Sequence, residues 1–108
     1  MKKEKNLVSK AFKSFQEEAP QHADAWMKLV QDLSKASALD DKTHNLAYLA
    51  VLAALRRDNG IPFHVIMAKR AGASRDEIVS TILVGLPAVG HVVTEVLPLA
   101  IEAYDNDL

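Results

Sequence analysis

Four histidines, His22, His44, His64 and His91, are the side chains of this chain best suited to moving protons near neutral pH. Their settings differ. His22 stands beside a predicted helix start and reads as exposed. His64 sits between Phe63 and Val65 in "RRDNGIPFHVIMAKRAG", a stretch that otherwise has the apolar content of a core. Two explanations fit it. Either the imidazole is a reactive group facing a cavity, or it is a buried ring satisfied locally, for instance by a carbonyl at the end of the preceding helix. His44, Tyr48, Val51 and Leu55 share one helix face by their spacing of three and four. Arg56, Arg57 and Asp58 come just before His64. A basic pair there suits a solvated helix end. If it edges a cavity, an arginine there can hold a carboxylate through paired hydrogen bonds.

Other chemistries find little footing. His44 and His64 have no ligand-type partner placed to share a metal on one helix face, and Asp41, three residues before His44, reads as compensation for the helix dipole. There is no G-x-S-x-G, no glycine-rich phosphate loop and no serine beside a base. Cysteine is absent, so this chain supplies no disulfide, zinc thiolate or thiol nucleophile. Neither a metal nor a cofactor is expected.

The elements that must carry these groups read as helices throughout, because no stretch sustains a strand-like alternation. Leu7, Val8, Ala11, Phe12 and Phe15 form one helical face. Pro20 breaks the chain, and Trp26, Leu29, Val30 and Leu33 mark a second amphipathic helix. In "LDDKTHNLAYLAVLAAL" (39–55), Asp40 or Asp41 caps a helix that is apolar on every side from Leu46, as a buried centre would be. Gly60 is the residue expected to take the left-handed conformation that stops it. Pro62 suits the first turn of the next helix, Gly72 its end, and "SRDE" (74–77) a capping box that opens another. That helix turns Ile78, Ile82 and Leu83 inward. "GLPAVGH" (85–91) bends the path, and a last helix is predicted from about Val89 to Tyr104, with Pro98 inside it as a kink.

The reading is all-α, with five to six helices around a central antiparallel helical hairpin, in a single domain over 1–108. A simple hairpin joins the end of one helix to the start of the next, which sets His44 near the far end from His64 unless another element or subunit intervenes.

Composition narrows the partners. Hydrophobic residues at 49% and charged residues at 25% make a globular mixture, not a disordered one. With net charge -1 and no basic run beyond Lys2-Lys3, neither nucleic acid nor an anionic membrane is expected. The longest apolar run, Leu46 to Leu55, is too short to cross a bilayer, and "MKKEKNLVSKAF" lacks a signal-peptide core. A cytoplasmic protein is the expectation.

The run 39–90 resembles the carboxymuconolactone decarboxylase family, whose fold the alkyl hydroperoxidase D-like proteins share. The matching features are Leu39-Asp40-x-Lys42-Thr43 opening an Ala-rich helix, then His64, Ala68, Gly72, Ala73, the "SRDEI" start at Ser74, and Gly90. The resemblance implies an oligomeric all-α fold, commonly a homo-trimer or homo-hexamer. In the peroxidase branch a C-x-x-C pair precedes the histidine. By spacing it falls on Arg57 and Gly60 here, so thiol peroxidase chemistry is excluded for this chain. That branch also has a glutamate early in the central helix as a proton-relay partner, where this chain has Asn45, and often an arginine before it, where it has His44. The decarboxylase branch needs no cysteines and keeps a histidine matching His64. Its acidic loop residues are replaced by Asn59, Gly60 and Pro62, leaving Asp58 as the nearby carboxylate.

The resemblance implies an enzyme acting on a small lactone or carboxylate, with His64 as general acid or base. His44, Asn45, Tyr48, Arg56, Arg57 and Asp58 are the candidate substrate contacts. The alternative is a member that has lost the chemistry and serves as a ligand-binding or structural oligomer.

Overall fold

The computed structural model describes residues 9–107. Leu7 and Val8, assigned above to the first helical face, lie outside the described residues, as do Lys2 and Lys3. The fold is all-α. Among the described residues the helices are α1 (Lys10–Glu18), α2 (Pro20–Ala36), α3 (Asp41–Leu55), α4 (Ile61–Arg70), α5 (Arg75–Leu83), the single-turn α6 (Leu86–Val89) and α7 (Leu97–Asn106). Tight 3-10 stretches at Asp58–Gly60 and Gly90–Val96 complete the path. The helices form two compact units, α1–α2 and α3–α7, that part between Ala38 and Leu39.

In the first unit, the Ser9 hydroxyl accepts from the Phe12 N–H at 3.1 Å and starts α1. Ala19 (φ -140°, ψ 62°) turns the chain, and Pro20 opens α2 where its missing N–H loses no helical bond. Ala23 is buried, whereas the apolar face of α2 (Trp26, Leu29, Val30 and Leu33) is exposed, Leu33 at 60%.

The second unit holds the larger core. Leu49 and Ala53 of α3 meet Ile61, Val65 and Ala68 of α4, Ile78 and Ile82 of α5, Val93 and Val96 of the second 3-10 stretch, and Ala100 of α7. Fully burying each of the larger aliphatic side chains contributes about 1.5–3 kcal/mol. Polar ties fix the helix ends around this core. The Asp40 carboxylate accepts from the Thr43 N–H at 2.7 Å, and Ser74 and Glu77 form the expected capping box. The Lys69 ammonium donates to the carbonyls of Tyr104 (2.7 Å) and Asp107 (3.1 Å), satisfying the end of α7. The Tyr104 hydroxyl donates to the Ala73 carbonyl at 3.0 Å.

By length and composition alone, Arg75–Asn106 is apolar enough to cross a membrane. In the fold this stretch is interrupted, with Gly90 at φ +82°, and its Ile78, Ile82, Val93, Val96 and Ala100 face the core.

Four expectations need correction. Gly60 is not the left-handed stop of α3: Arg56 takes that conformation (φ 57°, ψ 41°), and Gly60 has φ -87°. A Cβ at position 60 would lie 3.1 Å from Leu52 Cδ1, so the Leu52 side chain would have to shift by a few tenths of an ångström to admit one. The last helix does not start at Val89. Residues Gly90–Val96 wind as a 3-10 stretch, and Pro98 falls in the first turn of α7, where it causes no internal break. Nor is α3 buried all round, since Tyr48 (41%), Val51 (56%) and Leu55 (64%) are exposed.

The fourth concerns the hairpin. The chain reverses at Arg56, and the 3-10 stretch runs back until Gly60 lies against Leu52. α4 therefore starts beside the last turn of α3, not beyond its end. This offset of about one turn carries His64 to the His44 end, contrary to the separation expected from a simple hairpin.

Candidate functional site

The offset hairpin stacks the Tyr48 and His64 rings, with centroids 4.1 Å apart and planes inclined by 18°. One turn earlier on α3, the Asn45 side-chain oxygen lies 3.1 Å from His64 Nδ1. The same amide donates through Nδ2 to the Asp41 carbonyl at 2.9 Å, so both ends of Asn45 are anchored. Phe63 meets the His64 ring edge-on, at 5.1 Å and 87°. His44 lies beside Tyr48, with centroids 6.0 Å apart. His64 thus has one face covered and one nitrogen tied.

The other nitrogen is different. Among the described residues, no buried side-chain nitrogen or oxygen lacks a hydrogen-bond partner. Nε2 of the half-buried His64 has no partner, so it reaches solvent. Burial pushes the imidazole down to about 4 from its ordinary 6.5, because the charged ring loses hydration; the nearby His44 adds a smaller effect in the same direction. The ring is neutral at physiological pH.

Arg56 is engaged within the turn. Its guanidinium donates to both carboxylate oxygens of Asp58, at 2.9 and 3.0 Å, and pairs with Glu95 from the second 3-10 stretch. The paired bonds hold Asp58 below the usual carboxylate range and raise Arg56 further. This clamp fastens the reversed turn that offsets α4, so Arg56 and Asp58 bear on the site through the backbone path. Arg57 is exposed, and its side chain makes no ion pair or hydrogen bond among the described residues. His22 and His91 are exposed.

The structure therefore brings together His44, Asn45, Tyr48 and His64, and places Arg56–Asp58 at the turn leading to them. Two contributors were not named from the sequence. Phe63 reads as a core residue, yet it edges the imidazole. Glu95 reaches Arg56 across 39 positions, and no local pattern signals such a pairing. An open groove of about 350 Å³ lies elsewhere, lined by Leu46, Asp76, Glu77, Ser80, Thr81 and Val84. None of the groups touching His64 lines it.

No curated protein and no solved structure matches the chain. A model of the carboxymuconolactone decarboxylase family matches residues 20–102, a span that includes the whole α3–α4 hairpin and every residue around His64. With that match over most of its length, the chain belongs to the carboxymuconolactone decarboxylase family.

Proposed function

We propose that this protein is a proton-transfer catalyst of the decarboxylase type, acting on a small lactone or carboxylate with His64 as general acid and base. The observation that carries the reading is the asymmetry of the ring: Nδ1 is tied to Asn45, while Nε2 is unpartnered and open. An unpartnered, solvent-facing Nε2 beside the Tyr48 ring can exchange a proton with a bound substrate and with water.

Decarboxylation needs a proton at the carbon that loses CO2 or at the end of the adjoining conjugated system. The C–C bond to the carboxylate breaks, and CO2 leaves without the bonding pair. That pair moves into the adjacent carbonyl or double bond, and a proton from Nε2 closes the new bond. Solvent then reloads the ring. At rest His64 is neutral, so the ring must take up a proton from solvent as the substrate binds. A carboxylate placed against Nε2 favours the charged ring and supplies that condition. Tyr48 offers an aromatic wall beside the reacting centre, and Arg57, exposed and without an ion pair among the described residues, can attract an anionic substrate. His44 lines the same end of α3.

Self-association belongs to the same proposal. The exposed Tyr48, Val51 and Leu55 make an apolar stripe on the helix that carries the site, a surface that a second copy can cover.

The test is CO2 release from a panel of small γ-lactone carboxylates and β-keto acids, comparing the wild type with His64→Gln. Loss of the imidazole should lower turnover by roughly 10²–10⁴-fold while helicity is kept. Equal turnover by the two proteins, or none by the wild type on any panel member, would reject the assignment.

A further inference from the structure

We infer that Asn45 is a positioning residue that holds neutral His64 in the Nδ1–H tautomer and so makes Nε2 the atom with the free lone pair. Three observations on one helical turn carry this. First, the Asp41 carbonyl can only accept, so the amide end of Asn45 that lies 2.9 Å from it is the NH2. Second, that leaves the Asn45 carbonyl oxygen toward His64 Nδ1 at 3.1 Å, and an oxygen facing a ring nitrogen requires the proton on that nitrogen. Third, Nε2 has no protein donor or acceptor among the described residues and reaches solvent, so no side chain or carbonyl there holds the opposite tautomer.

Asn45 is itself held at both ends, which makes its oxygen a fixed acceptor instead of a swinging amide. An asparagine also differs from a carboxylate in a way that matters here. It accepts the Nδ1–H bond but adds no negative charge, so it selects the tautomer without strengthening the ring as a base. The titratable groups against the ring are His44 and Tyr48, both from α3.

The catalytic meaning of this tautomer rests on the reading of His64 as the proton carrier, but the tautomer itself can be measured without turnover. The experiment is long-range ¹H–¹⁵N correlation of the ¹⁵N-labelled His64 ring at pH 7, in the wild type and in Asn45→Ala and Asn45→Asp. The wild type should show a protonated Nδ1 and an unprotonated Nε2. In Asn45→Ala that preference should collapse toward the mixture of a free imidazole. Asn45→Asp keeps the acceptor, so it should restore the Nδ1–H form and raise the pH at which the ring takes its second proton. A wild-type ring protonated at Nε2, or an Asn45→Ala ring that keeps the Nδ1–H form, would overturn the inference. If Asn45→Ala does not fold, the wild-type and Asn45→Asp spectra still decide it. A correct tautomer together with undiminished turnover in His64→Gln would leave this inference standing and reject the catalytic one.

Discussion

The two sides of α3 are made from much the same residue types and do opposite work. On one side Leu49 and Ala53 are wholly buried and meet α4, α5, the second 3-10 stretch and α7. On the other, Tyr48, Val51 and Leu55 are exposed, and the Tyr48 ring lies on His64. The difference lies in what the neighbouring chain brings. Where α4 presents Ile61, Val65 and Ala68, an apolar side chain becomes core. Where α4 presents Phe63 and His64, an aromatic ring becomes a wall beside a half-buried imidazole. Residue type alone does not mark a side as core or site; the partner across the hairpin does.

This contrast can be broken by substitution. The largest stability effect should come from Leu49→Ala, which empties a fully buried position and should cost about 2–5 kcal/mol in chemical denaturation. Val51→Ser, two positions away, should change the stability of the isolated chain by no more than about 0.5 kcal/mol. It should weaken any self-association read by sedimentation. Equal losses from the two variants would mean that the two sides are not distinct.

A smaller effect is expected at the turn that creates the offset. Arg56 adopts the left-handed backbone at a strain that glycine would not carry. Arg56→Gly and Arg56→Ala both lose the pairs to Asp58 and Glu95, but only the alanine keeps the strain. Arg56→Gly should therefore be more stable than Arg56→Ala by about 1 kcal/mol. The reverse order would show that the turn is not held in the left-handed conformation.

Local chemistry made much of the fold legible in the sequence. Asp40 as cap, Pro62 in the first turn of α4 and the Ser74–Glu77 box each act within four residues, so their signals survive without a structure. The site was legible in its members but not in its assembly. Asn45, Tyr48 and His64 were named, yet their meeting depends on a reversal at Arg56 that no propensity favours, since arginine is not a residue that seeks a positive φ. Glycine is the usual helix stop, which points to Gly60 in the sequence, whereas its backbone is right-handed (φ -87°) and it lies close against the Leu52 side chain. The Glu95 partner of Arg56 comes from a distant element, and only tertiary folding reveals it.

His64 is a neutral ring with one free nitrogen, which takes a proton from solvent once a bound carboxylate favours the charged form. The most direct measurement is the pH titration of the His64 ring by NMR, without ligand and with small dicarboxylates and lactone carboxylates. Without ligand the ring should stay neutral as pH falls through 6.5 and take its proton only near 4, because burial disfavours the charged form. A bound carboxylate should move that transition upward, toward neutral pH, since an opposite charge favours the imidazolium. A ring that titrates near 6.5 and ignores every carboxylate offered would contradict the account and leave His64 as part of the packing between α3 and α4.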